Sequence, residues 1–167
     1  MAAGSKRAAE ILGQVLYATI ATVSEDGQPW NSPVFTAFDD DLNLYWTSDK
    51  VAQHSQNVRA NGKAFIAIYD STVPQGTGEG VYILAEAHEI NNPSLINAAR
   101  TITQGRKGLS ITENEYTYFS DDAVRRVYQA VPQKIWMNDN EYDKAGHFKR
   151  DIRVELKIEE VKRELRI

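Results

Sequence analysis

Between Tyr17 and Ile90 the chain mainly repeats one plan: a short run rich in β-branched and aromatic residues, then a turn or loop, with one helical stretch after Trp46. "YATIATV" is followed by "SEDGQP", whose Asp-Gly pair is a hairpin signal, and then by "WNSPVFTAF", so residues 17–38 read as a hairpin. Pro33 lies inside its second arm, and because proline donates nothing to a ladder, that arm is expected to be an edge strand or to carry a bulge. "FDDDLNLYW" sets an acidic turn before the alternation of Leu42, Leu44 and Trp46, "KAFIAIYD" is a continuous apolar strand, and "VYILAEAHEI" is a longer one after the loop "STVPQGTGEG". Later, "QKIWMN" gives a short strand. Ile152, Val154, Leu156 and Ile158 then alternate with Arg153, Glu155, Lys157 and Glu159, the pattern of an antiparallel strand wet on one face. Parallel neighbours need a crossover helix between every pair, so this order excludes a doubly wound sheet. The expectation is a mainly β fold: an antiparallel barrel of six to seven strands with peripheral helices, whose closure removes exposed edges.

The helices are read from other signals. Ala8, Ile11, Leu12, Val15 and Leu16 form one helical stripe. "NNPSLINAARTITQG" offers Asn92 as a cap, Pro93 in the first turn and Gly105 as a stop. "SDDAVRRVYQAVP" reads the same way, as a helix capped by Ser120 and closed by Pro132. A chain of 167 residues with no repeat or linker is expected to form one domain over 1–167. It has no cysteine, which excludes disulfides, thiol catalysis and Cys-based zinc or iron–sulfur sites. With 19 Lys and Arg against 23 Asp and Glu, nothing favours a nucleic-acid partner. No secretory core and no apolar run of about twenty residues is present, so the expected location is the cytoplasm, with no membrane span.

Motifs for familiar chemistry are missing. His54, His88 and His147 stand far apart without metal-ligand spacing, and there is no phosphate loop, dinucleotide fingerprint or nucleophile elbow. No metal site is expected, and no acid, base or nucleophile can be named. What stands out is "YWTSDKVAQHSQNVRANG". As a helix, its positions 51, 54, 55 and 58 share one face, which puts His54 and Ser55 beside Val51 and Val58. Either these polar groups are satisfied by nearby backbone or water, or they serve a ligand. Thr47 and Ser48 arrive just before the helix start, where free N–H groups and the dipole favour an anion such as a phosphate. "WNSPV" adds backbone groups that a planar heterocycle can use. Trp136 in "KIWMN" is either a core tryptophan or a shield for a ring face.

In this order and spacing, "YATIATVSEDGQPWNSPVF", "LNLYWTSDKVAQHSQNVRANGKAFIAIYD" and "GEGVYILAEAHEI" resemble the pyridoxamine 5'-phosphate oxidase-like, FMN-binding split-barrel family, in a divergent form similar to its general-stress members. The resemblance covers roughly residues 10–92 and implies a homodimer with FMN at the interface. It implies further that Asn31, Ser32 and Val34 face the isoalloxazine or ribityl chain, that Trp46, Thr47 and Ser48 lie along flavin and phosphate, and that Gln53, His54 and Ser55 complete the phosphate pocket, with Trp136 near the ring. The family's enzymes carry Arg and Lys at positions held here by Ser32, Ala37, Gln53 and His54, and Gln where this chain has Gly80. Each lost charge-assisted bond weakens a phosphate grip, so oxidation of pyridoxine phosphate is not expected. The implied function is a flavin-dependent oxidoreductase acting on a small molecule. The alternatives are a flavin- or haem-binding stress module without turnover, or a relative that uses a deazaflavin.

Overall fold

The computed structural model describes residues 2–110 and 115–165. Among these residues eight strands form a single antiparallel sheet: β1 (Tyr17–Val23), β2 (Pro29–Phe35), β3 (Ala37–Phe38), β4 (Leu44–Asp49), β5 (Lys63–Tyr69), β6 (Gly80–Ile90), β7 (Arg125–Tyr142) and β8 (Phe148–Leu156). Their order is β2-β1-β5-β6-β7-β4-β3, with β8 paired to β7. The sheet curls but does not close through hydrogen bonds, because β2 pairs only with β1 and leaves its other edge free. The edge position expected for the Pro33 arm is therefore met, and β2 faces β4 and the helix after it across a split.

Among the described residues four α-helices surround the sheet: α1 (Ala2–Gln14), α2 (Gln53–Asn61), α3 (Pro93–Arg106) and α4 (Ile158–Leu165). Asn92 caps α3 as read from sequence, its Oδ1 accepting from the N–H of Ser94 at 2.9 Å and of Leu95 at 3.1 Å. None of the described helices is long and apolar enough to cross a membrane.

The barrel interior is filled by Ile20, Leu44, Trp46, Ile66, Ile68, Val81, Ile83, Tyr128 and Ile135, all fully buried, with Trp46 stacked on Tyr128 at 5.4 Å between ring centroids. A second cluster of Tyr45, Ile90, Ile96, Ala99, Phe119 and Val127 lies under α3. This second layer explains one correction. The segment expected as a helix from Ser120 to Pro132 is turn and strand, since β7 runs for 18 residues from Arg125. Arg126, Val127 and Tyr128 are buried in succession because β7 is covered on both faces, by the barrel core and by the α3 cluster, and the strand loses its two-residue alternation. Pro132 sits where the β6–β7 register slips, a bulge at which no N–H is required.

Two smaller corrections follow from end effects. The alternating run expected to continue through Ile158 stops at Leu156, and Ile158 starts α4, whose Val161 is fully buried and whose Glu160 accepts from Ser5 Oγ of α1 at 3.2 Å. Val51 precedes α2 and is 67% exposed, so it shares no buried face with His54. The α2 helix ends at Gly62, whose φ of 68° and close approach to the Ala87 carbonyl suit only glycine.

Arg106 locks α3 to α1. Its Nη2 donates to the carbonyls of Leu12 at 2.5 Å and Val15 at 2.7 Å, and the guanidinium lies 5.2 Å from the Phe38 ring centroid. These are bonds from a charged donor to carbonyls at the end of a helix. Replacing Arg106 with Ala should lower stability by about 2–3 kcal/mol, read as a shift of the urea midpoint at unchanged slope.

Candidate phosphate cradle at the barrel split

The split brings together the free edge of β2, the end of β4 and the first turn of α2. Asp49 organises the approach: its carboxylate accepts from Val51 N–H at 2.9 Å, and its carbonyl accepts from Ala52 N–H at 3.1 Å. Ala52 stands at the cap position and has no side chain to offer, so the N–H groups of Gln53, His54 and Ser55 have no acceptor among the described residues. A helix start left in this form is a ready anion site.

Three polar side chains converge on it. His54 is 8% exposed, and its Nε2 lies 2.7 Å from Ser48 Oγ. Ser55 is fully buried, and its hydroxyl lies beside that of Tyr128 without a well-formed hydrogen bond. Burial lowers the His54 pKa and so favours a neutral ring, while burial first and the Glu89 charge further down raise that of Tyr128. Around neutral pH His54 and the hydroxyls are thus neutral donors beside a helix end, with the Arg59 guanidinium donating to the Tyr128 hydroxyl at 3.2 Å.

Strand alternation sorts the residues singled out by sequence. Ser48 lies on the Trp46 face of β4 and reaches His54, while Thr47 points to the opposite face with Tyr45, towards α3. Trp46 belongs to the barrel core, its indole N–H buried without an acceptor. On β2, Ser32 and Val34 face inward opposite Ile20 and Ala18, whereas Asn31 is exposed on the outer face opposite Ala21. Gln53 turns along α2, donating from Nε2 to Asn57 Oδ1 at 2.8 Å. Asn57 in turn donates to Thr22 Oγ1 at 3.0 Å, a buried bond that ties α2 to β1. The sequence reading missed Asn57, which sits on the buried side of α2 next to Val58.

Trp136 is not part of this cleft. It is half-buried on the outer face of β7, 6.2 Å from the Phe65 ring, in an aromatic strip with Tyr82 and with Arg153 stacked 4.1 Å above the Tyr82 ring. From Tyr128 to Trp136 an extended strand covers about 26 Å, which separates the strip from the cradle of the same chain. Among the described residues no group of His, Asp and Glu is placed to hold a metal ion.

The buried His54 has a measurable consequence. Its ordinary value is 6.5, and burial holds it lower in the native state, so the unfolded chain binds a proton that the folded chain resists. The stability contributed by a neutral His54 is complete above that value and is lost as pH falls below it. His54→Gln should therefore flatten the decline in urea midpoint between about pH 7 and about pH 5. An unchanged slope would mean that the ring titrates freely.

Comparison with known proteins places this architecture. Among curated proteins, no sequence matches the chain. Solved structures share its fold at low identity. A heme binding protein from Mycobacterium smegmatis aligns over 98% of this chain and 60% of its own, at 19% identity and a TM-score of 0.67. A candidate pyridoxamine 5'-phosphate oxidase from Listeria innocua aligns over 78% and 94%, at 21% identity and a TM-score of 0.59. An FAD binding protein, also from Mycobacterium smegmatis, aligns over 78% and 90%, at 12% identity and a TM-score of 0.58. The chain thus spans about three-fifths of the heme binding protein and most of the other two. The family model described as pyridoxamine 5'-phosphate oxidase matches residues 5–162, nearly the whole chain, and the chain belongs to that family.

Proposed function

We propose that the chain binds FMN in the barrel split and acts as a flavin-dependent oxidoreductase on a small molecule. The observation that carries this reading is the uncapped start of α2, where three free N–H groups meet the Ser48–His54 pair and the buried Ser55 hydroxyl. Those groups fit a phosphate monoester: the N–H groups and hydroxyls donate to its oxygens, and a bound dianion would draw a proton onto His54. The unpaired edge of β2 beside them offers backbone N–H and C=O groups for the polar rim of a flat ring. Bound flavin supplies the hydride or electron chemistry itself, and the chain supplies orientation and a dry wall, with Val34 on its apolar side.

Titration should give tighter binding of FMN than of riboflavin by at least about 30-fold. The pair Ser48→Ala with His54→Ala should reduce the FMN affinity by about 1.5–3 kcal/mol for each charged hydrogen bond lost, less than additively, and leave riboflavin unaffected. Equal affinity for the two flavins would remove the phosphate from this site.

The outer face of the sheet supports a second part of the reading, a homodimer. Tyr17 is 60% exposed and Tyr69 50%, on the same outer face as Phe65, Tyr82, Leu84 and Trp136, and Phe65 and Leu84 line a depression of 510 Å³ there. An apolar surface of this kind suits self-association by two-fold symmetry. A copy docked there would bring its own aromatic strip against this chain, the arrangement in which Trp136 can cover a flavin held by the other subunit. Sedimentation should give a dimer, and Leu84→Glu should give monomers with weakened flavin binding.

The fold shared with a heme binding protein favours a second reading, a cofactor-carrying module without turnover. Repeated reoxidation of the reduced flavin by an added acceptor would select the enzyme; a single stoichiometric reoxidation would select the carrier.

A further inference from the structure

Behind the cradle lies a polar cluster that phosphate binding at the helix start leaves unused. Glu89, across the β6–β7 ladder from Tyr128, accepts from Arg59 Nη1 at 3.1 Å, from Arg126 Nε at 3.2 Å and from the Tyr128 hydroxyl at 3.3 Å. Arg59 stands on α2 one turn beyond Ser55, and the same Nη1 also donates to the Tyr128 oxygen at 3.2 Å. Its Nη2 donates to the Lys50 carbonyl at 2.6 Å, so the guanidinium is held from two sides. Arg126 spends its donors elsewhere, on Glu89 and on the carbonyls of Asp121, Ala123 and Arg125. Arg59 is the cation in contact with the group that leads to the cradle.

Tyr128 is that group. It is fully buried, and its hydroxyl stands among Arg59, Glu89 and the Ser55 hydroxyl. Burial raises its pKa, so it keeps its one proton and donates it in one direction at a time. In the arrangement described here the proton goes to Glu89, and Ser55 makes no well-formed bond. The alternative is a row of donors with one polarity: Arg59 to the Tyr128 oxygen, the Tyr128 hydroxyl to Ser55 Oγ, and the Ser55 hydroxyl to an acceptor at the helix start. A phosphate oxygen supplies that last acceptor. Glu89 then gives up one donor and keeps both guanidinium groups.

The placement of charge gives this row its purpose. Gln53 and His54, at the helix start, bring no fixed cation to the front of the cradle. Behind α2, a hollow of 330 Å³ is lined by Lys50, Arg59 and Arg126 against Glu89 as its carboxylate. Positive charge therefore stands behind the helix, and a hydrogen-bonded row through a buried, low-dielectric region transmits it better than water would. Building on the FMN reading above, we infer that Arg59 and Tyr128 are positioning residues for the flavin phosphate, the Arg59 charge reaching it through the Tyr128 and Ser55 hydroxyls.

The test is parallel calorimetric titration of the full chain with FMN and with riboflavin, whose retained binding also reports that a variant is folded. Tyr128→Phe removes only the hydroxyl and should weaken FMN binding by about tenfold while riboflavin binding is unchanged. Arg59→Gln should act in the same direction, and Arg59→Lys should recover most of the loss. Ser55→Ala should match Tyr128→Phe, and the double variant should lose no more than either alone, because a broken row cannot be broken twice. Losses that add in the double variant, equal losses for both flavins, or full FMN affinity in Tyr128→Phe would overturn the inference alone. FMN binding no tighter than riboflavin binding in the unaltered chain would overturn the phosphate reading and the inference with it.

Discussion

A strand that cannot be paired on both sides sets the architecture of the site. Pro33 removes a donor from the middle of β2, and β2 accordingly stands at the end of the sheet with a free edge. A fully hydrogen-bonded barrel would use that edge to close on β3 or β4, and the split would vanish. Instead α2 spans the gap, held to β1 by the buried Asn57–Thr22 bond and to β4 by the Ser48–His54 contact. Both attachments are polar. A structure usually pairs its buried polar atoms, so the Ser55 hydroxyl, without a well-formed bond beside an uncapped helix start, is the observation on which the proposed ligand site rests.

Much of the fold is legible in the sequence because hairpin chemistry is local. The Asp26-Gly27 turn, the Asn92 cap and the alternation from Ile152 to Leu156 each depend on a few adjacent residues, and each is found where the pattern puts it. The first half of β7 is illegible for the opposite reason. Its burial on two faces comes from β4, β6 and α3, which are distant in sequence, and a two-sided strand has no period to read. Acidic residues after Ser120 then resemble a helix start, although Asp121 has a φ of 48° and belongs to a turn. The missing α4 is a boundary effect: Ile158 keeps the alternation going for one residue while Glu159 and Glu160 already supply the first helical turn.

The candidate site divides along the same line. That polar residues interrupt the buried side of α2 can be seen from spacing alone, and His54 and Ser55 are buried there. What spacing cannot give is partnership. Thr47 and Ser48 look equivalent in the sequence, yet the pleat of β4 sends only Ser48 towards His54. Trp46 and Trp136 look like comparable ring-facing candidates, yet one is core packing against Tyr128 and the other stands on the outer face with Phe65. The absence of the family's Arg and Lys at Gln53 and His54 changes the physics of the cradle as well, from fixed charge to helix end, hydroxyls and one titratable ring.

The most direct measurement is a crystal structure of the protein with FMN bound. The account predicts phosphate oxygens within about 3 Å of the Gln53, His54 and Ser55 backbone nitrogens and of Ser48 Oγ or the His54 ring, with the flavin rim against the free edge of β2. A flavin phosphate held anywhere else, with the start of α2 left to solvent, would contradict it.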